Sequence, residues 1–348
     1  DMSGFLKEHG EHKVADVTIS QVMGGLRGVN ALWCDTSVVP KEQGLIIRGI
    51  PMQDLTDLTG VQAFYLLLTG ELPSESEYEE FQTALKIRKF VPYYVWDILK
   101  AMPKDSHPMT MLSTAILSMQ KESSFAHHYE AGIHKSEYWR YTLEDALNIV
   151  AKLPSIAAAI YRLRYNKGEL VQPDPDMRLS EDFVHMLGID APEDEFLKLV
   201  RLFMVAHSDH EGGNVSSFTS SVVNSALSDL YFSMSAGFNG LAGPLHGLAN
   251  QESLKWLLDV MKKFNGTPTK EQIEIEVNET LAAGQVIPGY GHAVLRVVDP
   301  RFTAFYNFGK LHLPEDPVFK TVGHTFEVVP EILKKIPKIQ NPCPNVDA

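Results

Sequence analysis

The stretch SALSDLYFSMSAGFNGLAG, residues 225–243, holds one charged residue, Asp229, in a run of small and apolar side chains. Such a run suits a helix covered on every side, as at a subunit or domain interface. Helical patterning dominates elsewhere too. FLKLVRLFMVAH, 196–207, places Phe196, Val200, Phe203 and Met204 on one stripe, widened by Leu197 and Leu199. VQAFYLLLTGEL, 61–72, reads as an apolar helix ending at Gly70, and 137–168 as a long helix interrupted near Pro154. EQIEIEVNETLAAGQ carries Ile273, Val277 and Leu281 at helical spacing, with Gly284 as a stop. Strand signals are few. ALWCDTSVV, 31–39, and GLIIRGI, 44–50, can pair as a small hairpin across PKEQ. No repeat or low-complexity tract appears. The expected fold is mostly α, with a small β-hairpin near the N-terminus.

At 348 residues, 44% of them hydrophobic, the chain can bury a large core and is long enough for two domains. A boundary near 247 divides a large helical domain, 1–247, from a small one, 248–348, where the amphipathic stretch LANQESLKWLLDVMKK begins. A net charge of -13 argues against nucleic acid or an anionic membrane as partner. Anionic ligands must then be held by local arginines. Two distant cysteines, Cys34 and Cys343, point to a reducing compartment rather than a disulfide framework. No run of 18 apolar residues occurs, so no membrane span is expected. The opening DMSGFLKEHGEHK lacks the apolar core of a signal peptide, so any targeting peptide is expected to be gone already. Asn-x-Ser/Thr triplets at Asn214, Asn265 and Asn278 are read as chance matches.

Chemistry concentrates in four segments. HSDHEGGNVSS holds His207, Asp209, His210 and Glu211; NGLAGPLHGLANQE holds His246; IPGYGHAVLRVVDPRF holds His292, Arg296, Asp299 and Arg301; NPCPNVDA holds Asp347. Each also has a plain structural reading. His207 and His210 can cap a helix-to-loop turn, and HSDHE lacks the zinc-protease patterns that would make a metal site. His246 can be structural. Asp299-Pro300 can start a helix, Arg296 and Arg301 can be surface charges, and Asp347 can be a turn residue. No P-loop, dinucleotide fingerprint or nucleophile elbow is present. Taken together, two imidazoles and a carboxylate on Gly- or Pro-restricted backbone form an acid/base kit. Glycines let backbone approach a ligand, and arginines offer forks for carboxylate or phosphate. The set suits carbon-acid chemistry on a polyanionic substrate.

These four segments, with QVMGGLRGVN, TSVVPKEQGLIIRGIP and ESSFAHHYEAGIHKSEYW, resemble the citrate synthases, specifically the eukaryotic mitochondrial type, over almost the whole chain. The resemblance implies a mostly α, two-domain homodimer that closes over its substrates. It implies condensation of acetyl-CoA with oxaloacetate, then hydrolysis of citryl-CoA to citrate and CoA. By position, His246 is similar to the histidine that binds the thioester oxygen, and Asp347 to the base that removes a methyl proton. His292 resembles the histidine that binds the oxaloacetate carbonyl and later acts as acid. His210 and Arg301 match oxaloacetate-binding positions. Arg27, Arg296 and the loop Val286, Ile287, Pro288, Gly289, Tyr290 and Gly291 match CoA-binding ones. No cofactor or metal is implied, acetyl-CoA being a substrate, and the implied compartment is the mitochondrial matrix, with the peroxisome as alternative. A 2-methylcitrate synthase, or an impaired structural subunit of the same fold, is the competing reading. Two departures stand out. Family members continue past the position of Ala348 into helices with two more substrate arginines, without counterpart in these residues; and Lys135 stands where the family often has a phosphate-binding arginine.

Overall fold

The computed structural model describes residues 2–26, 29, 31–189, 193–291 and 295–348. In chain order its elements are α1 (Met2–His9), α2 (Ile19–Met23), β1 (Ser37–Val38), β2 (Ile46–Ile47), β3 (Ile50–Pro51), α3 (Gly60–Thr69), α4 (Glu75–Lys86) and α5 (Tyr93–Ala101). Next come α6 (Pro108–Ser118), α7 (Ser124–Glu130), α8 (Tyr138–Arg164), α9 (Leu179–Leu187), α10 (Glu193–Ala206), α11 (Val215–Asn224) and α12 (Leu230–Leu241). The last four are α13 (Ala249–Lys263), α14 (Lys270–Ala282), α15 (Pro300–His312) and α16 (Pro317–Leu333). The mostly α expectation holds.

Local sequence explains many of the boundaries. Thr59, Ser74 and Thr269 start α3, α4 and α14 as capping boxes with Gln62, Glu77 and Gln272, each box satisfying two end N–H groups. Asp299-Pro300 and Asp316-Pro317 start α15 and α16, the Asp accepting end N–H groups and the Pro preset for the first turn. Gly70 ends α3 at φ 86, as its sequence predicts. The expected hairpin also forms: β1 pairs antiparallel with β2, Ser37 opposite Ile47, and β3 adds a third short strand with Ile50 opposite Ile47.

Two expectations are corrected. Pro154 does not interrupt α8, which runs unbroken for 27 residues. Proline removes one hydrogen bond, but Ile149, Ala151, Ile156 and Ile160 are buried on either side of it, and that packing holds both halves in line. By length and composition α8 could also cross a membrane. Here it is the central core helix, packed against α4, α6, α7, α9 and α12. In α10 the buried face is Val200, Leu202, Val205 and Ala206, whereas Phe203, placed on the inner stripe by periodicity, is 52% exposed.

The core is divided. The largest cluster joins α5, α6, α8 and α12 through residues such as Trp96, Ile116, Ile156 and Tyr231. A second joins the hairpin to α3 and α10 through Ile47, Met52, Leu66 and Val205. A third is built from α13, α14 and α16 by Val260, Ile273, Val277 and Val329. The run read as covered on every side becomes α12, which α6 and α11 cover on two sides while Phe232 stays 43% exposed.

Candidate active site

The loop 207–214, between α10 and α11, is tied to the hairpin. Thr36 Oγ1 donates to Asp209 Oδ2, the Val39 amide donates to Glu211 Oε1 at 2.6 Å, and the Glu211 amide donates to Ser37 Oγ at 2.7 Å. Gly212 lies so close to the preceding segment that a Cβ there would sit 3.3 Å from Cys34 Cβ. The loop then turns into α11, where Asn214 caps the helix by accepting from the Ser217 amide at 2.9 Å. The Ser216 hydroxyl lies 2.8 Å from both Asn214 Oδ1 and His246 Nε2, and the Ser216 amide donates to the same Nε2 at 3.4 Å. Partial burial pushes the His246 pKa down. The Asn214 triplet, read as chance in the sequence, thus helps to hold His246.

A second group forms where α15 begins. Asp299 caps α15 and also grips Arg301 with both carboxylate oxygens, at 3.1 Å to Nε and 2.7 Å to Nη2. Both residues are buried, at 1% and 6% exposure. Burial alone would raise the Asp299 pKa, but the bonds to Arg301 and its charge outweigh that and hold it below the usual value. Arg301 is buried, so its surface reading fails. His210 lies close enough for its charge to act on Asp299.

The chain's last residues return to this group. The Asp299 amide donates to Pro344 O at 3.1 Å, and the Asn345 amide to Gly289 O at 2.9 Å. Tyr290 and Pro344 form an isolated antiparallel bridge. Gly289, at φ 78, passes so near that a Cβ would sit 2.5 Å from Ala348 Cα. Pro288 and Gly289 therefore let their loop run against the segment that carries Asp347. Burial raises the Asp347 pKa and the nearby Asp299 charge adds to it, while Arg301 opposes the rise. The Asp347 amide donates to Asn345 Oδ1 at 2.8 Å, which makes it a turn residue as well.

A cavity of about 290 Å³ is lined, among others, by His207, Asn250, Phe302, Phe305, Val346 and Ala348. Val346 and Ala348 flank Asp347, Phe302 follows Arg301, and Asn250 lies four residues after His246. All four of the sequence-chosen segments therefore contribute a residue to the lining of one void. His207 stacks on Phe203 with ring centroids 4.2 Å apart. Water reaches its edge, yet crowding by the cavity wall lowers its pKa, with Arg301 adding to the effect. Among the described residues, His246 takes its polar contacts from Ser216.

Among the CoA candidates, Arg296 is anchored by its amide to Lys41 O at 2.8 Å, and its side chain reaches Gln340 Oε1. Val286 is 78% exposed, but Ile287 is 3% exposed and packed in the third core cluster, so it can meet a ligand only through its backbone. Tyr290 packs there too, and burial pushes its pKa up. Gly291 is exposed at φ 82. His292 and Arg27 lie outside the described residues. The sequence did not reveal Ser216 as the partner of His246 or Asn214 as the partner of Ser216, and it showed Asp299 as a cap but not as the clamp on Arg301.

The family model described as "Citrate synthase, C-terminal domain" matches residues 25–348. A relative from Daucus carota named "Citrate synthase, mitochondrial" is 42% identical over 98% of this chain and 74% of its own. One from Saccharomyces cerevisiae named "Citrate synthase, peroxisomal" is 43% identical over 100% of this chain and 77% of its own. Among solved structures, the citrate synthase from Pyrobaculum aerophilum matches with TM-score 0.81 and 28% identity, covering 93% of this chain and 79% of that one.

Proposed function

The chain belongs to the citrate synthase family, and from that premise we propose how its residues divide the work of condensation. The family's substrates are acetyl-CoA and oxaloacetate, and this chain is an enzyme of that kind. Asp347 removes a proton from the acetyl-CoA methyl group. His246 donates a hydrogen bond to the thioester oxygen as negative charge gathers there. The new carbon nucleophile attacks the oxaloacetate carbonyl, His292 gives that oxygen a proton, and water then cleaves citryl-CoA to citrate and CoA. His210 and Arg301 hold oxaloacetate. Arg27, Arg296 and the backbone of 286–291 hold CoA. Side chains alone carry this chemistry, with no resident cofactor or metal.

The pKa shifts support this division. A raised Asp347 pKa makes its carboxylate a stronger base, which narrows the gap to a weakly acidic methyl group. A lowered His246 pKa keeps that ring neutral near pH 7. The Ser216 amide can only donate, so Nε2 accepts. We therefore assign the ring proton to Nδ1, which can face the thioester oxygen. A preorganised donor of this kind is worth roughly 10²–10³ in rate in other acyl-transfer sites. The observation that carries the reading is the common cavity bounded by segments of His246, Arg301 and Asp347.

We propose that a domain closure brings the His246 and Asp347 groups onto the bound substrates. We place the moving unit within the proposed small domain, 248–348, whose α13, α14 and α16 have their own core. We also infer a homodimer, since the α6–α11–α12 face leaves Leu117, Val222, Leu227 and Phe232 each 43–51% exposed. The mitochondrial matrix is the compartment we propose, with the peroxisome as alternative, because relatives bear both names.

Asp347→Ala tests the assignment. Citrate formation should fall at least a thousandfold while oxaloacetate binding, followed calorimetrically, stays within about threefold, because the base acts on the other substrate. Near-normal turnover would remove Asp347 from the role.

A further inference from the structure

We propose that Glu211 is a positioning residue that couples the oxaloacetate side of the site to the thioester side. The inference rests on the site reading above and adds a residue which that reading does not use.

Glu211 has φ 56, in the left-handed region that a residue with a side chain adopts only when its surroundings compel it. Two hydrogen bonds to the hairpin compel it here. Its carboxylate accepts from the Val39 amide, and its own amide donates to Ser37 Oγ. Gly212 follows, with no room for a Cβ to settle without moving Cys34 or Leu32. The turn therefore has a single position against the hairpin.

Both substrate sides depend on that turn. His210 is its immediate neighbour, so anchoring Glu211 to the hairpin also fixes the backbone from which the imidazole projects. On the other side, Asn214 Nδ2 donates to Glu211 O at 3.1 Å. The Ser216 hydroxyl then donates to Asn214 Oδ1 at 2.8 Å, and the Ser216 amide donates to His246 Nε2 at 3.4 Å. A continuous chain of hydrogen bonds runs from the hairpin through Glu211 to His246. The same hairpin touches the third group, since Lys41 O accepts from the Arg296 amide and Gly44 lies against Pro300. The carboxylate acts here as an oriented acceptor, so its charge is not the essential feature.

The test compares Glu211→Ala, Glu211→Gln and Ser37→Ala in the full protein, with two readouts. One is KM for oxaloacetate. The other is exchange of the acetyl-CoA methyl hydrogens with D2O in the presence of a non-condensing dicarboxylate analogue of oxaloacetate. Losing one half-buried acceptor should raise KM about tenfold and slow exchange about tenfold in Glu211→Ala. Glu211→Gln, which keeps an acceptor oxygen in place, should restore both to within about threefold. Ser37→Ala, which removes the partner of the Glu211 amide, should shift both readouts in the same direction as Glu211→Ala. If Glu211→Ala or Ser37→Ala lowers only the melting temperature, the residue is merely structural and the proposal fails. If Gln is as impaired as Ala, the acceptor role fails. Failure of the underlying site reading shows separately: Asp347→Asn would continue to exchange methyl hydrogens whatever Glu211 does.

Discussion

Replacing Asp299 tests how the buried cation of the site is tolerated. Asp299 does two things at once. It caps α15 by accepting from the Arg301 amide at 2.9 Å, and it neutralises the Arg301 guanidinium through bonds of 3.1 and 2.7 Å. Asp299→Ala leaves Arg301, 6% exposed, without its counterion. Breaking a buried pair in this way costs about 3–5 kcal/mol, and losing the cap adds about 1 kcal/mol. The sum, about 4–6 kcal/mol, is a large part of the roughly 5–15 kcal/mol that holds a domain together. Asp299→Asn keeps a cap acceptor and the side-chain shape, so its loss should be smaller. Urea unfolding at fixed protein concentration measures both, since urea does not screen charge and the concentration holds any oligomer constant. Acid titration adds a check with a defined sign. The folded Asp299 pKa is depressed, so its stabilisation is present above the unfolded value, about 3.9, and is lost as pH falls through the folded one. Asp299→Asn should flatten that part of the acid limb. A loss under about 1 kcal/mol for Asp299→Ala would refute the reasoning, because a cation that keeps its stability without Asp299 is not held by it.

Two further outcomes follow from the same geometry. Lys89 Nζ meets Asp182 at 2.7 Å with both side chains 2% exposed, so Lys89→Met should cost about 3–5 kcal/mol and Lys89→Met/Asp182→Leu distinctly less, read by the same urea titration. Gly289→Ala combines φ 78 with a clash against Ala348, so it should displace the Asp347 turn and lower kcat more than oxaloacetate affinity. Unchanged steady-state kinetics would separate that loop from the base.

Local chemistry was legible in the sequence where one short stretch decides the outcome. Gly70, the Asp299-Pro300 start and the short strand Ile46–Ile47 within GLIIRGI each follow from rules spanning a few residues, whereas the turn at Arg48 and Gly49 that cuts that stretch in two does not. Pro154 misleads because the packing around α8 overrides a local preference. Phe203 misleads because periodicity predicts a face without knowing what lies beyond it, and here a cavity does. Site residue types and their grouping could be read, since Gly and Pro beside His and Asp leave a mark in one dimension. Their partners could not. Ser216 and His246 are 30 positions apart, and the hairpin and Glu211 are more than 170 apart. Nor does any sequence rule predict a left-handed Glu211, whose backbone is set by contacts that form only in the folded chain.

The most direct test of the proposed chemistry separates proton removal from carbon–carbon bond formation. It follows exchange of the acetyl-CoA methyl hydrogens with D2O while a non-condensing dicarboxylate occupies the oxaloacetate side. We predict steady exchange in the native protein. In Asp347→Asn it should be lost, and in His246→Ala slowed at least a hundredfold, since one residue takes the proton and the other steadies the charge left behind. Exchange at the native rate in either variant would contradict the account.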